Sequence, residues 1–202
     1  IKNQFEKSIK KETPGFVVSN GVNDFFKKLD IEKPDELKNK IVILTTGRYS
    51  REKSQDTLIR AIKYSKYKNK IQLILAGQGF DELYYKILSK ELPITPIFKL
   101  CSRDEILKIT NYCDIYVHPA IIELEGISCL EAICCGKLTI VSNSKLSATK
   151  EFSVHDKCIF NAKSPKSLAK TIDYWIEHPK EKAECEEKYL ASSETFNQND
   201  CR

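Results

Sequence analysis

Short apolar segments alternate with longer amphipathic segments along most of the chain. Continuous apolar runs occupy residues 41–47, 71–76, 114–120 and 138–142, and shorter runs occupy 94–100 and 159–160. Apolar runs without alternation are typical of parallel strands, because helices cover both faces of a parallel sheet. Pro96 interrupts one of the shorter runs, which places that strand near an edge of the predicted sheet.

The amphipathic segments between these runs predict helices. We expect helices from about Gln55, over 81–92, over 104–112, after Ser128, over 164–178 and from Pro179 to about Ser193. Ser102 and Glu105 have the spacing of a capping box before the third of them. Strand, helix and strand recur five or six times, which predicts an α/β fold with a doubly wound, Rossmann-like parallel sheet.

The ends of the chain have weaker patterns. Residues 1–11 have a helical pattern, 16–18 form an apolar run, Asn20-Gly21 is typical of a turn, and 29–40 are a polar linker with some helix. We therefore predict one domain over residues 1–180 and a C-terminal helical extension over 181–202.

Composition narrows the class of protein. Thirty-three Lys plus Arg oppose 28 Asp plus Glu, for a formal net charge of +5 among 202 residues. The charges are interspersed, which argues against nucleic-acid binding and leaves weak association with an anionic membrane surface open. Eight cysteines without a Cys-x-x-Cys pair or a signal peptide indicate free thiols, hence a cytoplasmic protein. Because the chain lacks methionine and opens within a pattern, we expect it to be part of a longer protein.

The segment from Glu123 to Gly136 contains the strongest candidate site. It joins two predicted strands through a loop and a short helix, and ligands of open parallel sheets bind beyond the carboxyl ends of strands, near helix N-termini. An ionised Glu123 or Glu131 would accept two hydroxyl donors of a sugar. Structural explanations also fit, since Ser128 and Glu131 have the spacing of a capping box and Glu123 would suit a solvated loop.

Two cations follow the first strong apolar run. Arg48 comes directly after Gly47, and Lys53 follows five residues later. Together they would neutralise a diphosphate leaving group without a metal, although both would also suit a solvated surface. Arg51 has no assigned role. His118, at the end of another predicted strand, is interpreted as a residue that packs or hydrogen-bonds locally, with a catalytic base as the alternative.

These motifs resemble those of retaining glycosyltransferase family four, which has the GT-B fold. The resemblance rests on two glutamates separated by seven residues, with Gly126 fourth in the motif, and on Gly47-Arg48-x-x-x-Glu52-Lys53. It implies one half of a GT-B fold, the C-terminal, nucleotide-sugar-binding half. Departures from the family pattern occur at Cys101, at Glu125, whose role is unassigned, and over residues 143–152.

The resemblance also implies roles for individual residues. The diphosphate would lie among Arg48, Lys53 and the backbone at Gly47 and at Gly126, Ile127 and Ser128, while Glu131 would hold the ribose and Glu123 the transferred sugar. The substrate would be a nucleoside diphosphate sugar, with UDP favoured and GDP as the alternative. The sequence contains no Asp-x-Asp motif, so we predict neither a metal nor a cofactor.

A hexosyltransferase that moves sugar to a glycan, lipid or protein acceptor is the function that the resemblance implies. Its N-terminal acceptor domain is expected outside this chain, so the chain alone is expected to bind donor without transferring sugar. Two alternatives stay open, a nucleotide-sugar epimerase of the same architecture and a binding module without chemistry.

Overall fold

The structure is a computed structural model that describes Val22 and residues 24–196. The helix predicted before residue 12, the apolar run at 16–18 and the Asn20-Gly21 turn lie outside the described residues. The polar linker contains one short 3₁₀ helix, Asp35–Leu37. Within the described part of the chain, no helix combines the length and apolarity needed to cross a bilayer.

Eight strands and six α-helices make up the described fold. The strands are β1 (Ile41–Thr46), β2 (Ile71–Ala76), β3 (Ile97–Lys99), β4 (Ile115–His118), β5 (Ile122–Glu123), β6 (Thr139–Ser142), β7 (Leu146–Ser147) and β8 (Ile159–Phe160). The helices are α1 (Gln55–Tyr64), α2 (Glu82–Ser89), α3 (Arg103–Tyr112), α4 (Ile127–Cys134), α5 (Pro165–Glu177) and α6 (Pro179–Ser193). Further 3₁₀ helices are Thr149–Phe152, Asp156–Cys158 and Glu194–Phe196.

Six strands form one parallel sheet in the order β3-β2-β1-β4-β6-β8. The chain first winds from β1 toward β3 and then returns to β4, on the other side of β1. Helix α1 packs against α2 and α5, whereas α4 packs against α6. Right-handed crossovers put these two groups on opposite faces of the sheet. The predicted doubly wound α/β fold is thus confirmed, and its direction reverses between β1 and β4.

The core explains why the strands lack alternation. Five of the six residues of β1 and all six of β2 are buried, as are all four of β4 and of β6. Helix α5 adds Trp175 and α6 adds Tyr189, both fully buried. Because α6 packs on α4, residues 181–193 lie against the same core as the rest of the domain. The position of β3 at one edge confirms the interpretation of Pro96.

Several predicted boundaries differ from the observed ones. Strand β3 has three residues instead of seven, and α2 ends at Ser89 instead of Leu92. The predicted capping box at Ser102 and Glu105 is confirmed by both of its hydrogen bonds. Strands β5 and β7, which pair with each other outside the main sheet, were not predicted. The seven cysteines of the described residues are unbridged, and most are buried.

Candidate functional site

The candidate site lies where the winding of the sheet reverses, between the carboxyl ends of β1 and β4. The loop after β1 contains Lys53, and the loop after β4 leads through β5 to α4. The backbone oxygen of Glu52 accepts hydrogen bonds from Ile121 N–H at 2.8 Å and Ile122 N–H at 3.3 Å, which ties the two loops together. Crevices at such switch points are the usual ligand sites of open α/β sheets.

Helix α4 begins at Ile127, and its N-cap residue, Gly126, has the left-handed conformation with φ of 68°. A Cβ atom at Gly126 would lie 2.5 Å from Thr149 Cγ2, so both the backbone conformation and the space require glycine. The backbone amides of Gly126, Ile127 and Ser128 take part in no hydrogen bond among the described residues. They remain available to an anion at the positive end of the helix dipole.

A cavity of about 480 Å³ lies in front of this helix end. Its lining combines one cation, two carboxylates and the start of α4, and consists of Lys53, Glu123, Leu124, Glu125, Gly126, Ile127 and Ser128. The structure therefore brings together five of the predicted site residues, Lys53, Glu123, Gly126, Ile127 and Ser128. Arg48, Gly47 and Glu131 lie outside this lining.

Lys53 and Glu123 form an ion pair at the cavity. Lys53 Nζ donates to Glu123 Oε2, and the two side chains are 23% and 13% exposed. His118 Nε2 lies 3.0 Å from the same carboxylate oxygen. Burial opposes ionisation of Glu123, but the hydrogen bonds with His118 and Lys53 outweigh it and hold the pKa of Glu123 at about 2. Glu123 is thus an ionised acceptor at neutral pH and not a solvated loop charge.

His118 packs and hydrogen-bonds locally, as the first interpretation of the sequence expected. Its ring is buried and stacks on Tyr116 with a centroid separation of 6.4 Å. Burial lowers the pKa of His118, and the nearby Glu123 opposes that shift. A neutral imidazole has one N–H, and a carboxylate only accepts hydrogen bonds, so the proton of His118 lies on Nε2, which faces Glu123. Nδ1 then faces the Tyr116 hydroxyl at 3.5 Å as an acceptor. That hydroxyl also bonds Thr46 Oγ1 at 2.8 Å.

Arg48 pairs with Glu52 and does not line the cavity that Lys53 lines. Its guanidinium bonds Glu52 Oε1 at 2.8 Å, and its side chain is 67% exposed. The structure therefore does not bring the two predicted cations together. The Arg48 backbone is held in place, because Gln55 Nε2 donates to its carbonyl at 2.9 Å and Tyr85 O–H donates to Gln55 Oε1 at 3.1 Å.

Gly47 lies at the carboxyl end of β1, against the loop that follows β2. A Cβ atom at Gly77 would lie 2.0 Å from the Gly47 carbonyl oxygen, so the two loops approach closely because residue 77 is glycine. Gly47 N–H donates to Ala76 O at 3.0 Å. Its observed contacts are thus with the backbone of the neighbouring strand and loop.

The capping box predicted for Ser128 and Glu131 is wrong. Helix α4 starts at Ile127, so Ser128 lies within the first turn, and no side chain caps this end. The Glu131 carboxylate makes no hydrogen bond to any other described residue. Burial raises the pKa of Glu131 to about 7, and the charge of Arg103 opposes this rise. The structural explanation for Glu131 is therefore removed, and its carboxyl is poised between charged and neutral near pH 7.

Comparison with known proteins identifies the domain. The family model for glycosyl transferases group 1 matches residues 26–189, which is most of the chain. The chain belongs to this family. Its sheet, its helices and the switch point described above are those of a glycosyl transferases group 1 domain of GT-B type.

Individual relatives support the same family. The catalytic domain of cholesterol-α-glucosyltransferase from Helicobacter pylori is 38% identical, with a TM-score of 0.75, over 78% of this chain and 99% of that one. N,N'-diacetylbacillosaminyl-diphospho-undecaprenol α-1,3-N-acetylgalactosaminyltransferase from Campylobacter jejuni is 27% identical over 86% of this chain and 44% of its own length. The chain spans about half the length of the curated relatives it matches.

A more distant solved structure shares the fold. HepE from Anabaena, solved in complex with UDP and glucose, is 20% identical with a TM-score of 0.79, over 92% of this chain and 54% of that one. At this identity the likeness concerns architecture alone. It agrees with the topology derived from the strand order.

A second cavity in the glycosyl transferases group 1 domain is lined by Arg51, the cation to which the sequence assigned no role. This cavity has a volume of about 830 Å³ and lies against the first turns of α1, α2 and α5. Arg51, Arg60 and Lys163 contribute positive charge to its lining, and Asp56 and Asp81 contribute negative charge. Arg51 therefore faces a different space from Lys53, although only one residue separates them in sequence.

Proposed function

We propose that this chain is the donor-binding domain of a retaining glycosyltransferase of family four that uses a UDP-sugar. The observation that carries the proposal is the cavity at the switch point, where Lys53, Glu123 and the free amides of α4 face one space. An anion receptor and a hydroxyl acceptor lie side by side there, which matches the diphosphate and the sugar of a nucleotide sugar. Glucose is the favoured sugar because the 38% identical relative is named as a glucosyltransferase, and a GDP-sugar is the alternative.

The proposed roles follow from charge and position. The diphosphate accepts hydrogen bonds from the amides of Gly126, Ile127 and Ser128, and Lys53 neutralises charge that develops on the leaving group. Arg48 joins Lys53 by leaving Glu52, a surface pair that costs little to break. Gly47 contributes backbone on the same side.

The two carboxylates of the motif would bind the two sugars of the donor. Glu123 accepts hydroxyls of the transferred sugar, and Glu131, when ionised, accepts those of the ribose. These side chains come from opposite ends of one motif, with the start of α4 between them. A donor whose diphosphate lies at the helix end would extend toward both.

We further propose a lipid acceptor at a membrane surface. The two relatives described above are named for cholesterol and for a diphospho-undecaprenol-linked sugar. Leu124 and Ile127, which line the candidate cavity, are 67% and 42% exposed, and Ile122 beside it is 47% exposed. An apolar rim of this kind suits an acceptor that combines a sugar or sterol hydroxyl with an apolar body. The enzyme would act in the cytoplasm, at the membrane surface.

We propose that the acceptor is held mainly by a second, N-terminal domain, as in the GT-B architecture. Positioning two reactants together accounts for roughly 7–11 kcal/mol of a barrier, so donor contacts alone are insufficient for transfer. The 202 residues would then bind donor but transfer no sugar. Transfer by this chain at the rate of an enzyme with both domains would contradict that division of roles.

The first experiment is a thermal-shift screen of this chain against UDP-glucose, UDP-galactose, UDP-N-acetylglucosamine and GDP-mannose. A ligand at about 100 times its dissociation constant adds roughly 2.7 kcal/mol to the free energy of unfolding. We expect the largest shift with UDP-glucose. Absence of a shift with all four donors would contradict the proposed function.

Product analysis with radiolabelled donor, on a protein that contains both domains, separates the enzymatic alternatives. A glycosyltransferase moves label to the acceptor, an epimerase returns an altered nucleotide sugar, and a binding module leaves the donor unchanged. We expect label in the lipid fraction when sterol or polyprenyl-linked acceptors are supplied. The inactive control is Glu123→Gln.

A further inference from the structure

The Glu123 carboxylate is engaged at only one of its two oxygens. Oε2 accepts from both His118 Nε2–H and Lys53 Nζ, whereas Oε1 has no hydrogen-bond donor among the described residues. Glu123 lines the candidate cavity, so the unengaged oxygen is the one left for a ligand hydroxyl. The donors on Oε2 determine where that oxygen points.

The Lys53 ammonium cannot keep its full contact with Glu123 while it also binds the diphosphate. If the Lys53 ammonium moves to a phosphate oxygen, Glu123 loses one of its two donors while its side chain stays only 13% exposed. An ionised carboxylate at such a site needs a hydrogen-bond donor that stays in place. A buried ring fits this requirement better than a flexible lysine.

His118 is held from several directions. Its side chain is 2% exposed, it belongs to β4 and pairs with Val141 of β6, and its ring stacks on Tyr116. The Tyr116 hydroxyl faces Nδ1 and is itself bonded to Thr46 of β1. Three strands of the sheet thus fix the direction of Nε2–H toward Glu123.

We propose that His118 is a positioning residue that keeps Glu123 aimed at the transferred sugar while Lys53 moves to the diphosphate. This inference rests on the proposed function, because it assigns the sugar to Glu123. His118 touches neither substrate nor the reacting atoms, and it acts by donating Nε2–H to Oε2. It therefore affects recognition of the sugar and leaves recognition of UDP unchanged.

The test compares the dissociation constants of UDP and UDP-glucose, measured by calorimetry on this chain. His118→Phe removes the donor, and we expect a loss of about tenfold or more for UDP-glucose, as for hydrogen bonds to charged groups. UDP should bind as in the wild type. His118→Gln, whose amide can donate to Oε2, should restore most of the UDP-glucose affinity. The matched control is His178→Gln, an exposed histidine outside the site.

A double variant separates positioning from packing. In a Glu123→Ala background, His118→Phe should cause no further loss of UDP-glucose affinity, because its effect passes through Glu123. Equal losses for UDP and UDP-glucose, or additive losses in the double variant, would overturn the proposal. In that case UDP-glucose binding by the wild type would leave the proposed function standing. Absence of binding of all four screened donors by the wild type would remove both.

A measurement on the wild type covers the case in which His118→Phe fails to fold. Nitrogen-15 spectra of labelled histidine should show His118 neutral and protonated at Nε2 at pH 7, both before and after UDP-glucose is added. Protonation at Nδ1, or a change of tautomer on binding, would overturn the proposal.

Discussion

The ammonium of Lys53 and the carboxylate of Glu123 are paired at the candidate site, although 70 positions separate them in sequence. Lys53 comes from the loop after β1 and Glu123 from β5, which follows β4. The reversal of winding places β4 beside β1 in the sheet, so the loops that follow these two strands meet. The proposed receptors for the diphosphate and for the sugar thus neutralise each other when no donor is bound, so a donor must provide both replacement partners.

Removing Lys53 should weaken diphosphate recognition selectively. We expect Lys53→Ala to reduce UDP binding by about 1.5–3 kcal/mol, the value of a hydrogen bond to a charged group, and to leave uridine binding unchanged. Arg48→Ala should act in the same direction and more weakly, because Arg48 is exposed and paired elsewhere. Calorimetry with both ligands measures the difference, and Lys66→Ala, which removes an exposed lysine paired with Glu177, is the control. Equal losses for UDP and uridine would refute the assignment.

Glu123 should make the fold sensitive to acid. Its pKa of about 2 in the folded protein lies below the ordinary 4.5. As pH falls, Glu123 therefore takes up a proton in the unfolded chain before it does so in the folded protein. The contribution of ionised Glu123 to stability is thus full above about pH 4.5 and is lost as pH falls toward 2. Urea unfolding between pH 6 and pH 2.5 should show a smaller decline for Glu123→Gln than for the wild type. Parallel declines would show that the ion pair contributes nothing to stability.

The sheet was predictable because its signal is local. Each central strand is a continuous apolar run, and burial on both faces is what such a run requires. Strands β5 and β7 have two residues each, which is too short for any pattern. Their pairing is accompanied by backbone hydrogen bonds that tie the loops around them to Glu52 and to each other. Their positions depend on tertiary contacts that no window of sequence contains.

Most residues that line the candidate cavity could be predicted from the sequence, but the contacts between side chains could not. The motif spacing identified Lys53, Glu123 and the start of α4, whereas the contact of His118 with Glu123 depends on the path of the loop between them. The capping-box error has a similar origin. Ser128 fits the sequence pattern of a capping box. The left-handed conformation beside Thr149 requires glycine at residue 126, so Gly126 is the N-cap residue and the helix begins before Ser128.

Replacing Glu131 should separate stability from binding. Its pKa of about 7 lies above the ordinary 4.5, so the folded protein holds the proton more tightly than the unfolded chain does. The free energy of unfolding therefore falls as pH rises from 4.5 to 7. Glu131→Gln should melt above the wild type at pH 8, with a difference that shrinks at pH 5. The same variant should bind UDP more weakly at pH 8, and unchanged UDP affinity would show that Glu131 does not hold the ribose.

Gly126 should be intolerant of even a methyl group, for two separable reasons. Gly126→Ala forces a left-handed conformation on alanine, which costs roughly 1–2 kcal/mol, and it places Cβ 2.5 Å from Thr149 Cγ2. Thr149→Ser removes that methyl group and keeps the hydroxyl that bonds Ser147. We expect chemical denaturation to show that the double variant recovers the steric part of the loss and not the conformational part. UDP binding should remain impaired in the single and in the double variant, because Gly126 is the first of the residues whose free amides face the anion. Full recovery of UDP binding in the double variant would show that the left-handed conformation of Gly126 is not needed to present those amides.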